Sequence, residues 1–94
     1  MFVLALQTEL HLNGCHSLKE KRAVIRPILD GARHRFAVAS AEVDYQDTWQ
    51  RASLGFACVG SSAGHLTDVM DEVERFVWSH PEVAVLSMER SWIE

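Results

Sequence analysis

The sequence predicts a single α+β domain in which two helices cover one face of a four-stranded antiparallel sheet. Four segments alternate with the period of a strand, two have helical periodicity, and the order is strand–helix–strand repeated twice. Each half must cross over right-handedly, which places both helices on the same side of the sheet. A chain of 94 residues forms one small core. The predicted fold is therefore the ferredoxin-like βαββαβ sandwich over residues 1–94.

The first half of the chain contains a long strand and a long helix. Residues 2–12 place apolar side chains at most even positions, which predicts a strand, and an Asn-Gly pair then ends it. Ser17 and Glu20 have the spacing of a capping box, in which each side chain accepts a hydrogen bond from the other residue's backbone N–H. Apolar residues at helical spacing follow, so a helix is predicted over about Leu18–Arg35.

The second half repeats this order. Phe36–Val43 alternates weakly and Ala52–Gly60 alternates clearly, so both are predicted to be strands. Leu66–Val77 has a strong helical stripe, and this helix ends near the residue before Pro81, because proline disfavours helical geometry there. Alternation resumes over Val83–Trp92 and predicts the last strand.

Composition and charge exclude several classes of protein. The formal charge of −4 creates no global field that attracts nucleic acid or anionic lipid. The two cysteines are too few for a disulfide framework, which favours reduced thiols in a cytoplasm. The N-terminus lacks the basic region of a signal peptide, and no segment approaches the roughly 20 apolar residues that span a bilayer. We therefore expect a cytoplasmic protein without a membrane partner.

The distribution of cations is more informative than their total. Six of the nine Lys and Arg residues fall within Lys19–Arg35, on the first predicted helix. In the predicted topology the start of that helix shares one end of the sheet with the long loop between the second and third strands. That end gathers polar, charged and aromatic side chains. The candidate binding residues are His16, Lys19, Lys21, Arg22, Arg26, Asp44, Gln46, Asp47, Trp49, Gln50 and Arg51.

Two interpretations of this end are open. In the functional one, the helix N-terminus and its cations favour a phosphate or an RNA backbone, and Trp49 supplies a flat group for an unstacked base. In the structural one, Asp44 and Asp47 make local turn bonds or pair with Arg51, and Trp49 covers the core. The helix cations then merely neutralise the acidic second helix.

The open face of the sheet is a second possible surface. Phe56 fits the third-strand motif of RNA-recognition domains, but Leu54 replaces the cation of that motif and Cys58 replaces its second stacking aromatic. A core position for Phe56 is the favoured alternative. Outward apolar residues on this face would need a cover, which predicts a protein-interaction domain and a homodimer.

Catalysis and metal binding have little support in the sequence. Cys15 stands beside a helix N-terminus, which lowers thiol pKa values, but no acceptor site accompanies it. The five histidines lack metal-ligand spacing, and Gly60–Gly64 lacks the Lys-Ser/Thr pair of a phosphate-binding loop. We predict a protein that is not an enzyme, with no catalytic residues, no metal site and no cofactor.

Two motifs together carry a family resemblance. Ser17–Arg22 has the sequence S-L-K-E-K-R, and Asp44–Ala52 has the pattern D-x-Q-D-x-W-Q-R-A. Through these motifs the sequence resembles the YlxP-like family of small bacterial proteins, and the resemblance covers nearly the whole chain. The resemblance implies a ferredoxin-like fold, a cytosolic location and no assigned activity or catalytic residues. Because genes of that family commonly lie among those for translation initiation and ribosome maturation factors, it also implies association with ribosomal RNA or a ribosome-assembly intermediate.

Overall fold

The computed structural model describes residues 1–93 and has the predicted order of strands and helices. The elements are β1 (Phe2–Leu12), α1 (Leu18–Phe36), β2 (Ala39–Asp44), β3 (Arg51–Gly60), α2 (Ala63–Trp78) and β4 (Val83–Ile93). The strands form one antiparallel sheet in the order β2-β3-β1-β4. The ferredoxin-like fold is thus confirmed. Glu94, the last residue of the predicted domain, lies outside the described residues.

The core lies between the two helices and the face of the sheet that they cover. In β1 the even-numbered side chains from Leu4 to Leu12 are buried, and the register pairs Leu4 with Cys58 and Leu6 with Phe56 of β3. Phe56 is only 2% exposed, which confirms its predicted core position. Base stacking on Phe56 from the open face, the opposite side of the sheet, is therefore excluded.

The first helix is one residue longer than predicted, and the second strand is shorter. Phe36 belongs to α1 and packs edge-to-face against Phe76 of α2, with ring centroids 5.8 Å apart. Ala37 then ends the helix in the left-handed conformation and donates its N–H to the Arg33 carbonyl. The prediction of a strand from Phe36 was wrong because a contact with the other helix, absent from the local pattern, keeps Phe36 in α1.

The start of α1 is capped nearly as predicted. The Ser17 hydroxyl accepts the Glu20 backbone N–H at 3.1 Å. The Glu20 carboxylate accepts the backbone N–H of His16 instead of that of Ser17. Both side chains thus fix the turn that leads into the helix. Within residues 1–93, neither helix has the length and apolar character to cross a membrane.

Candidate functional site

Three segments meet at one end of the sheet, as the topology predicts. The Leu12 backbone N–H donates to the Gln50 carbonyl at 2.9 Å, and the Gln50 side-chain amide donates to the Cys15 carbonyl at 3.3 Å. Leu12 also pairs with Val83, the first residue of β4. The loop before α1, the loop between β2 and β3, and the turn before β4 therefore form one continuous end of the domain.

The midpoint loop, residues 45–50 between β2 and β3, is held by local hydrogen bonds. Tyr45 has the left-handed φ of 60°, and its N–H donates to the Asp44 carboxylate at 2.7 Å. The Tyr45 carbonyl accepts the Thr48 N–H at 3.0 Å. Asp44 thus has the local turn bond that the structural interpretation predicts.

Lys21 fastens this loop to α1 from inside the protein. The residue is 1% exposed, and its ammonium group donates to the Tyr45 carbonyl at 2.6 Å and lies 2.7 Å from the Glu42 carboxylate. Lys21 was predicted to be a binding residue of the first helix, and its burial shows that this prediction was wrong. Its position falls on the helix face of Ile25, Ile28 and Ala32, which packs on the sheet, and β2 supplies a carboxylate that makes burial of the charge possible.

The other three predicted cations of α1 form an exposed cationic flank, defined as Lys19, Arg22 and Arg26. Together with Ala23 and Pro27 they line a shallow depression on the helix surface. Among residues 1–93, no carboxylate lies within 4.0 Å of their charged groups. The cationic flank is thus solvent-facing positive charge that the described fold leaves unpaired.

The acidic residues of α2 do not account for this flank. Asp71 and Glu74 bind Arg90 of β4 at 2.7 and 2.5 Å. The side of α1 that touches α2 is marked by Gly31, nine residues after Arg22 and so about 180° around the helix. Neutralisation of α2 by the cationic flank was therefore the wrong structural alternative.

The remaining candidates divide into exposed and tethered side chains. His16, Gln46, Asp47 and Trp49 are exposed, with Trp49 at 50%. Gln50 is tied to the loop before α1, as described above. The Arg51 guanidinium lies 4.9 Å from the centroid of the Tyr45 ring and 3.8 Å from the Glu9 carboxylate. The structure therefore brings Gln50 and Arg51 into local contacts and leaves the Trp49 ring exposed to solvent, where a ligand could contact it.

Sequence reasoning missed a polar cluster on the open face, made of Gln7, Glu9, Ser53 and Arg51. Ser53 is fully buried on that face because its neighbours cover it. Its hydroxyl accepts from the Gln7 amide and donates to Glu9 Oε1, both at 2.9 Å. The available signal was the pair of polar residues at alternate positions of β1, where an apolar outward stripe becomes polar.

The opposite half of the open face is apolar. Val3 pairs with Val59 on one side and with Ile93 on the other, which creates a row of three β-branched side chains across the sheet. Val59 is 66% exposed and Ile93 is 53% exposed. This row is the outward apolar surface that the sequence predicts.

The cysteines lack the environment of a nucleophile. Burial, followed by the charge of Glu20, raises the pKa of the Cys15 thiol despite the opposing charge of Lys21. Burial likewise raises the pKa of the Cys58 thiol. Both thiols are therefore protonated near neutral pH, where a thiolate would be needed for attack.

These features define a small ferredoxin-like α+β domain whose candidate site is a surface of charged and aromatic side chains. The chain belongs to the family described as "Protein of unknown function (DUF503)", whose model matches residues 3–90. It is similar to the uncharacterized protein YlxP of Bacillus subtilis (strain 168), with 42% identity over 76 residues that cover 81% of this chain and 83% of the relative. The resemblance inferred from the two motifs is thereby confirmed.

Proposed function

We propose that this protein is a cytoplasmic, non-enzymatic module that binds ribosomal RNA, either free or within a ribosome-assembly intermediate. The observation that carries the proposal is the cationic flank. Arg33, Arg75 and Arg90 each have a carboxylate partner within the fold, whereas the flank has none among residues 1–93. Unpaired cations on one side of a helix concentrate positive potential, which favours phosphates even on a chain of net negative charge.

The midpoint loop supports the same proposal. An RNA-binding surface combines charge for phosphates with a flat group on which an unstacked base can lie. Trp49 supplies an exposed ring, and the loop that carries it is fastened to α1 by Lys21. A loop held in this way loses little conformational freedom on binding, which preserves affinity.

Charge reversal on the flank tests the proposal. The Lys19→Glu/Arg22→Glu variant should lose most of its co-sedimentation with 30S subunits and its affinity for single-stranded RNA, because both phosphate contacts become repulsive. Its free energy of unfolding should change by less than about 1 kcal/mol, since these cations are exposed. Arg22→Glu alone, compared with Arg75→Glu on α2, controls for the change in net charge.

The wild-type protein should also show a salt slope of about −0.7 per phosphate contact on single strands, reduced in the double variant. Trp49→Ala should weaken binding without changing that slope. Unchanged co-sedimentation of a well-folded double variant would refute the proposal.

A homodimer through the open face is a second candidate, favoured by the exposed row of Val3, Val59 and Ile93. Monomeric proteins rarely leave large contiguous apolar patches in water, and a second copy would cover this one. Light scattering should give the mass of two chains at micromolar concentration, and Val59→Lys should give the mass of one. A wild-type mass of one chain would rule out this candidate.

A further inference from the structure

The apolar half of the open face consists of a ridge beside a trough. The ridge is the row of Val3, Val59 and Ile93, in which Val59 and Ile93 are more than half exposed. Two residues further along these strands the outward side chains are small, and they form the floor of an open depression of about 400 Å³. This floor, the trough, is made of Ala5, Ala39, Ala57 and Ser91.

Larger side chains close the trough on its other side. Val43 of β2 leans over Gly55, with Cγ1 only 3.0 Å from the position that a Cβ on this glycine would take. Gln7 pairs with Gly55, and Glu89 pairs with Gln7, so the wall continues across the sheet. The trough is therefore shaped to receive a row of side chains and not a flat surface.

Neither the ridge nor the trough contains an ionisable side chain. The outward face of an antiparallel sheet is ordinarily polar, because it meets water. Two copies of a chain with a formal charge of −4 repel each other, and burial of like charges at a contact is costly. The apolar half of the open face is a surface on which two copies can meet without that cost.

The spacing of the side chains identifies a second copy as the occupant of the trough. Ridge and trough both have positions on β3, β1 and β4, so neighbouring side chains in each row are about 4.8 Å apart across the sheet. The ridge of another copy therefore matches the trough residue by residue. A surface that carries both a projection and the matching depression is self-complementary, as a two-fold interface requires.

The contact area is sufficient for a reversible dimer. The contact extends from Met1, which is 96% exposed, to Gln7. Seven residues along β1 and four strands across give a footprint of about 23 by 19 Å. The relief of ridge and trough adds surface to this footprint, which brings it toward the roughly 600 Å² per copy at the lower end of specific interfaces.

We infer that two copies pack with these faces together about a two-fold axis that runs across the strands, so that the ridge of each copy fills the trough of the other. Val59 then lies over the partner's Ala57, and Val3 lies over the partner's Ala5. An axis along the strands would instead set ridge against ridge and leave the two troughs facing each other across a void, which forfeits packing contacts. This inference rests on the homodimer proposed above and adds to it the arrangement of the two copies.

Two substitutions that exchange ridge and trough on β3 test this arrangement. Val59→Ala removes a ridge side chain and Ala57→Val fills the trough. Each should raise the dissociation constant of the dimer at least about tenfold, because every change occurs twice in a two-fold dimer. The Val59→Ala/Ala57→Val double variant again sets a projection opposite a space, so its dissociation constant should return to within about threefold of the wild-type value. Sedimentation equilibrium over a wide range of concentrations would measure all of these constants.

Ser87→Val provides a matched control. Ser87 pairs with Glu9 in the polar half of the same sheet, outside the proposed contact, and gains the same side chain as Ala57→Val. The dissociation constant of this variant should stay within about twofold of the wild-type value. Thermal melts would establish that each variant is folded.

The outcomes separate the arrangement from the homodimer itself. A wild-type protein that remains a single chain at every concentration would overturn both. A dimer that neither Val59→Ala nor Ala57→Val weakens would overturn the arrangement alone. A tighter dimer in Ala57→Val would also overturn it, since that result is expected when two troughs face each other. Losses in both single variants without recovery in the double variant would count against the arrangement, and recovery would support it.

Discussion

The two helices cover the same face of the sheet, but they differ in how many of their charged side chains are ion-paired within the fold. Three of the four acidic residues of α2 are paired within the fold, since Arg90 of β4 holds Asp71 and Glu74 and Arg75 holds Glu72. On α1, Lys21 is buried against Glu42, whereas the neighbouring Arg22 is exposed and has no ion-pair partner among residues 1–93. Residues of like charge on one helix can therefore serve stability or remain free for a ligand, depending on which side of the helix they occupy.

Truncation of Lys21 should cause the largest loss of stability. Lys21→Met should lower the free energy of unfolding by about 3 kcal/mol, because Glu42 loses its counter-charge and the Tyr45 carbonyl loses a buried charged donor. Arg22→Met should change it by no more than about 0.5 kcal/mol. Urea denaturation monitored by tryptophan fluorescence would measure both.

The Lys21→Met/Glu42→Gln double variant refines this prediction. Replacing Glu42 by Gln should recover part of the lost stability, because no unpaired carboxylate is then left buried. Equal stability of Lys21→Met and Arg22→Met would contradict the buried ion pair.

The helix–helix contact allows a second comparison, between two glycines. A Cβ on Gly31 would clash with Cζ of Phe76, whereas a Cβ on Gly64 of α2 meets only the Ser62 hydroxyl oxygen at 3.9 Å. Gly31→Ala should therefore destabilise by about 1–2 kcal/mol, since the clash outweighs a gain of about 1 kcal/mol in helix propensity. Gly64→Ala should stabilise by up to about 1 kcal/mol.

Thermal unfolding would show these opposite signs directly. Phe76→Leu in the Gly31→Ala background should recover part of the loss if the aromatic ring is the obstacle. A stabilising Gly31→Ala would contradict the close approach of the helices.

The smallest loss of stability is expected from the two arginines that pair with acidic residues of α2. Arg90→Met removes a bridge between α2 and β4 and should cost about 1 kcal/mol, reduced by high salt. Arg75→Met removes only a local pair with Glu72 and should cost less than about 0.5 kcal/mol. Hydrogen bonding to Glu74 raises the pKa of Arg90, so its contribution is present below its ordinary pKa and is lost only in strongly alkaline solution.

Urea titrations at low and high ionic strength would compare the two arginines. Equal losses for Arg90→Met and Arg75→Met would show that the bridge to β4 adds nothing beyond a local pair.

Much of the candidate site was predictable, because topology alone brings distant segments to one end of a ferredoxin-like sheet. The meeting of the midpoint loop with the loop before α1 follows from strand and helix order. The inward direction of Lys21 was missed because its favourable partner, Glu42, is distant in the sequence. The pairing of Glu9 with Arg51 was missed for the same reason, since it depends on strand register.

The element order, the capped start of α1 and the apolar faces that form the core all follow from the amino-acid sequence. These features depend on periodicity and on bonds between residues a few positions apart, such as Ser17 and Glu20. Packing between elements is the reason that Phe36 stays helical, that Gly31 meets α2 and that Lys21 is buried. Each depends on a partner from another element, and local patterns carry no information about which partner packing will supply.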